Sequence, residues 1–144
     1  MSCFATLKDA LGVTIPGIRV AAFFYNGSRT GFAKYHYILQ LYSDGRWLRA
    51  LAVDVEPEWK ISHRCSCTGA VHKGPHGHMG GDGTPWSEWW PIDRPYPPTP
   101  ADNRRDFYEH FKLKASLVED STLCLEPYGV HNGVIIDLFS DDLP

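Results

Sequence analysis

The chain has 144 residues, 43% of them hydrophobic and 22% charged, a balance that suits one globular domain with its own core and excludes disorder of the whole chain. A formal net charge of −3 removes any global basic field for gripping nucleic acid, which stays open only as a local patch. The first residues lack a basic stretch leading into an apolar one, and no run approaches eighteen apolar residues. The expectation is a cytoplasmic protein with no membrane span, whose Cys3, Cys65, Cys67 and Cys124 are thiols or metal ligands rather than disulfides.

In chain order, Phe4, Leu7 and Leu11 are spaced for one helical face and predict a short helix over 3–11, ended by Pro16-Gly17. Ile18–Tyr25, Tyr35–Tyr42 and Trp47–Val55 read as three strands of an antiparallel meander. Asn26-Gly27 marks the first connection, and Ser43-Asp44-Gly45-Arg46 the tight second one. From Glu56 to Arg105 the regular pattern disappears. This stretch carries four of the five tryptophans, and an irregular segment of that length is unusual inside a compact domain. A principal helix is predicted over about 102–118, with Asp102 as N-cap and Phe107, Phe111, Ala115 and Val118 facing the sheet. Two more strands, Thr122–Glu126 and Gly133–Phe139, precede an acidic tail. The expected fold is therefore a single α+β domain over 1–144: a mainly antiparallel sheet of about five strands, one principal helix, and a long His/Cys- and Trp/Pro-rich excursion over 56–105.

The chemically loaded stretch runs from His63 to His78. Cys65 and Cys67 are two apart, so an extended backbone puts both sulfurs on one side. Gly69, Gly74 and Gly77 let the chain turn back so that His72 and one of His76 or His78 can join them. Thiolate and imidazole are the donors of structural zinc sites, and four such ligands leave no position for water. The expected cofactor is a structural zinc ion, offsetting the entropy of ordering the excursion at about 1–2 kcal/mol per residue. The bland alternative is a polar loop with two buried thiols.

Further along, Trp86, Trp89, Trp90, Arg94 and Tyr96 form an aromatic and proline-rich segment. They are candidates for binding a partner, or for filling the core beneath a proline-stiffened strap. Arg94 also begins an Arg-x-x-Pro-x-x-Pro pattern of the kind that docks in aromatic grooves. Two functions follow. One is a small accessory module that binds a protein through the 56–105 region. The other is a metal- or histidine-dependent hydrolase of phosphoesters or peptides. Its site would lie around His76, His78 and Asp82 (with Glu88 an alternative base) or around His36 and His131. Cys124 or His110 with His131 and Asp137 could also be arranged as a nucleophile, base and orienter, although no local signature supports that assembly.

Overall fold

The structure is a computed structural model. It describes residues 2–25, 32, 34–64, 69–81, 88–93, 101–118, 130–131 and 134–135, with Cys3, His63, 101–105, 130–131 and 134–135 described by backbone alone. In chain order the strands are β1 (Ser2–Lys8), β2 (Thr14–Tyr25), β3 (Lys34–Ser43), β4 (Arg46–Val55), β5 (Ile61–Arg64), β6 (Val71–Lys73), β7 (His76–Met79) and β8 (Glu88–Pro91). Helix α1 (Ala101–Ala115) follows, and then the two-residue strands β9 (Val130–His131) and β10 (Val134–Ile135). The main sheet has six strands in the order β1-β2-β3-β4-β7-β8, every neighbouring pair antiparallel. β5 and β6 form a separate hairpin, and so do β9 and β10. Among the described residues no helix is long and apolar enough to cross a membrane.

The meander β2-β3-β4 is as expected. Asp44 (φ 51°) and Gly45 (φ 77°) both adopt positive φ, as a two-residue hairpin turn requires. The first segment differs from expectation: residues 2–8 form a strand and not a helix. Phe4, Leu7 and Leu11 match a helical face, but nine residues are too few to hold a helix without packing. β2 offers a long neighbour, and Asp9 builds the turn between them. Its carboxylate accepts the Leu11 and Val13 N–H groups at 2.9 Å each. Pro16-Gly17 does not end an element. It lies inside β2 where the pairing with β1 shifts between Thr6 and Lys8, and such a bulge tolerates proline.

Of the 56–105 excursion, the described residues form four strands and the beginning of α1, while residues 65–68, 82–87 and 94–100 lie outside the described set. Thr122–Glu126 lies outside it, and only Val134–Ile135 of the last expected strand falls within it.

Helix α1 covers one face of the sheet. Phe107 and Phe111 are fully buried against Val20, Phe24, Tyr37, Leu51 and Val53, each contributing about 1.5–3 kcal/mol by leaving water. The helix stops at Ala115 and not at 118. Ser116 takes φ 54°, and the Leu117 and Ser116 N–H groups return to the carbonyls of Lys112 and Leu113 at 2.9 and 3.2 Å, a Schellman end. Val118, expected to face the sheet, is consequently 97% exposed.

Two details tie the later strands to this frame. Gly77 of β7 lies opposite Trp90 of β8, and the indole occupies the space a side chain would need: a Cβ there would stand 2.2 Å from the ring. Trp90 Nε1 donates to His110 Nε2 of α1 at 3.2 Å. At the end of β4, buried Glu56 accepts Lys60 Nζ at 2.7 Å and Lys34 Nζ at 3.4 Å, and Ser62 of β5 also bonds to it. Burial raises the Glu56 carboxyl, but the bond from Lys60 and the charges of Lys60 and Lys34 outweigh it and hold it below the usual range.

Gly77→Ala should therefore cost about 1–3 kcal/mol by overpacking, read as a lowered denaturant midpoint. In a Trp90→Leu background the penalty should shrink, and an equal penalty there would refute the clash. Glu56→Gln should lose about 1–3 kcal/mol at pH 7. A carboxyl whose folded pKa is depressed stabilises above its unfolded value and loses that stability as pH falls. The difference between wild type and Glu56→Gln should accordingly narrow as pH drops below about 4.3, and a difference constant from pH 7 to pH 3 would contradict it.

Candidate metal centre

Residues two apart in a strand share a face. On the face turned away from α1, β3 carries His36, β4 carries Ala52 and Asp54, and β7 carries His76 and His78. The intervening positions Tyr35, Tyr37, Val53, Val55 and Gly77 fall on the helix side. Pairing sets His36 against Asp54 and Asp54 against His76 in one row, with Ala52 against His78 beside it. The alignment depends on a bulge. Between Leu39 and Gln40 the register shifts and leaves Ala50 as the extra residue. Continued without that break, the pairing of Ser43 with Arg46 would set His36 against Val53.

The third histidine comes from the separate hairpin. Gly74, at φ 64°, turns the chain between β6 and β7 with Glu58 close against it. His72 is thereby brought to ring-centroid distances of 5.5 Å from His76 and 5.2 Å from His78, and those two lie 4.7 Å apart. One ring nitrogen from each of His72, His76 and His78 falls within 4.8 Å of the others, so the cluster could hold a metal ion. All three are buried, at 2%, 0% and 1% exposure. Trp89, opposite His78 on β8, closes one side with its ring 4.2 Å from that of His72.

His76 is oriented for such a task. Its Nδ1 lies 2.6 Å from the Gly74 carbonyl, which can only accept, so Nδ1 carries the proton. In the neutral ring Nε2 then keeps its lone pair, the tautomer that ligating histidines adopt through the same kind of backbone bond.

Asp54 flanks the cluster. Its Oδ1 accepts His36 Nδ1 at 2.8 Å, and its Oδ2 stands 3.6 Å from His78 Nε2 and 3.7 Å from His76 Nε2. Burial pushes this carboxyl up. The hydrogen bond from His36 and the electrostatic influence of the neighbouring His78, His36 and His76 rings more than reverse that, so Asp54 is held well below the usual carboxylate range.

Of the expected metal ligands, His72, His76 and His78 lie together in one cluster, where only one of His76 and His78 was expected to join His72. Cys65 and Cys67 lie outside the described residues, as do Asp82, Trp86, Arg94, Tyr96, Cys124 and Asp137. Glu88 is exposed on β8. Trp89 stands over the histidines, whereas Trp90 packs against the core on the opposite face. His110 accepts the Trp90 indole N–H, a structural use. His131 lies on β9 by backbone alone, and its side chain falls outside the described residues.

Asp54 is absent from the residues that spacing alone singles out. Strand alternation contains a signal for it, since Asp54 and His36 are both out of phase with the apolar residues of their strands. A surface cavity of about 410 Å³ opens beside the Gly74-Pro75 turn, lined also by Glu58, Lys73, Ile92 and Asp93, and none of the three histidines lines it. Comparison of the chain with protein-family models, with curated proteins and with solved structures gave no match.

Proposed function

We propose that the chain is a small binding module in which His72, His76 and His78 hold a structural zinc ion that fastens the β5–β6 hairpin onto the sheet. The observation that carries this reading is the convergence of three buried imidazoles from two separately paired pieces of backbone. Imidazole suits zinc, copper, iron and nickel alike. Zinc is favoured because a d¹⁰ ion imposes no geometry of its own and accepts the arrangement that strand-borne rings present. The burial of the rings favours a closed, structural site over one open to substrate. In this reading the partner is a protein, met by the surface around Trp89, which is 40% exposed beside the centre. The compartment proposed is the cytoplasm, where cysteines stay thiols.

A second reading is a metal-dependent hydrolase of phosphoesters or peptides. One observation favours it: Asp54 stands beside a three-histidine cluster, where a base could act on metal-bound water. It requires an open coordination position reached from solvent.

Metal analysis of protein purified without added metal should find about one zinc ion per chain. Chelation should lower the melting temperature and increase hydrogen exchange across 61–73, while the β2–β4 meander stays protected. Metal far below stoichiometry, with melting unchanged by chelator, would remove both readings. If metal is bound but chelation leaves fold and melting intact, the site is not structural and the hydrolase reading takes its place.

A further inference from the structure

We propose that Asp54 is a further donor to the ion held by His72, His76 and His78, making a three-nitrogen, one-oxygen set, and that His36 is the positioning residue that aims it. This rests on the metal reading above and adds a ligand and its support.

The first argument is distance. Two donors bonded to one ion at about 2.0–2.1 Å, at a tetrahedral angle, stand about 3.3–3.4 Å apart. Asp54 Oδ2 lies 3.6 Å from His78 Nε2 and 3.7 Å from His76 Nε2. Both separations are a few tenths of an ångström from the spacing that a shared ion would set. Oδ2 is also nearly equidistant from these two nitrogens.

The second argument is the division of labour between the two carboxylate oxygens. Oδ1 is taken by His36 Nδ1 at 2.8 Å, and since a carboxylate can only accept, His36 donates. Ligating carboxylates are themselves hydrogen-bonded in this way. The bond fixes the plane of the carboxylate and leaves Oδ2 turned towards β7. The register supports the same arrangement, because His36, Asp54 and His76 occupy one cross-strand row.

The third argument is charge. Three neutral imidazoles would leave a divalent ion with its full charge in a buried place, where an uncompensated charge is costly. An anionic Asp54 lowers the residual charge to +1 and is itself compensated by the ion. Asp54 is 9% exposed, so solvent does little of this work.

The test uses Co²⁺, whose visible d–d bands report the donor set, with affinity measured by chelator competition on the whole chain. Wild type should load one Co²⁺. Asp54→Asn should bind it more weakly by more than the roughly 10–100-fold that losing an outer-shell partner costs, and with shifted bands. His36→Gln should weaken binding within that smaller range and keep the wild-type bands. Asp54→Cys should add a thiolate-to-cobalt charge-transfer band to the wild-type spectrum, and this variant decides the matter if Asp54→Asn does not fold. Loading of Asp54→Asn with wild-type affinity and bands, or no added band in Asp54→Cys, would overturn the assignment of Asp54 while leaving the three-histidine site intact. Failure of wild type to load any metal would overturn the metal reading itself.

Discussion

A charged carboxylate in the interior of a sheet has to be compensated, and the architecture on one side of this protein follows from that requirement. Asp54 sits on β4, a central strand, with little access to water. Ion burial costs several kcal/mol unless other groups answer it. Part of the answer is His36 of β3, which donates to one carboxylate oxygen, while the other oxygen faces His76 and His78 of β7. The β5–β6 hairpin then supplies His72. Three of these imidazoles, His72, His76 and His78, lie close enough together that the cluster could hold a metal ion.

The opposite face of the same sheet is governed by apolar burial. Tyr37, Val53, Phe107 and Phe111 are nearly or wholly inaccessible, and α1 lies over them. The two faces meet in β7, whose sequence is His-Gly-His. The histidines point to the polar face, and the glycine between them leaves room on the other for Trp90, which reaches His110 of the helix. One short strand thus serves the candidate metal centre and the core together. A bulkier residue at position 77 would disturb both, because displacing Trp90 moves β8, and β8 also carries Trp89 against His72.

Much of the sheet is legible in the amino-acid sequence. The β2–β4 meander announces itself through apolar and aromatic runs joined by a two-residue Asp-Gly turn, since these signals are local. β1 is disguised, because Phe4, Leu7 and Leu11 satisfy a helical period by coincidence; the neighbouring edge of β2 and the Asp9 turn override it. The end of α1 is hidden too, because nothing about Ser116 in the sequence marks it as the residue that leaves the helix with positive φ. In the 56–105 stretch β7 and β8 are recognisable as strands only through the neighbours they pair with, for four residues carry too little pattern of their own.

The sequence by itself determined the alternation that puts His36 and Asp54 out of phase with the core, and the run of histidines from which the cluster is drawn. It also determined that His76 and His78, two apart in an extended strand, must share a face. Only the tertiary structure decided that these groups meet. A one-residue bulge at Ala50 sets His36 beside Asp54 and not Val53, pairing of β4 with β7 brings His76 to the same row, and the Gly74 turn folds His72 back over both. Register and bulges are settled by the packing of whole strands against one another, so residues far apart along the chain become neighbours through a choice that no local stretch of sequence encodes.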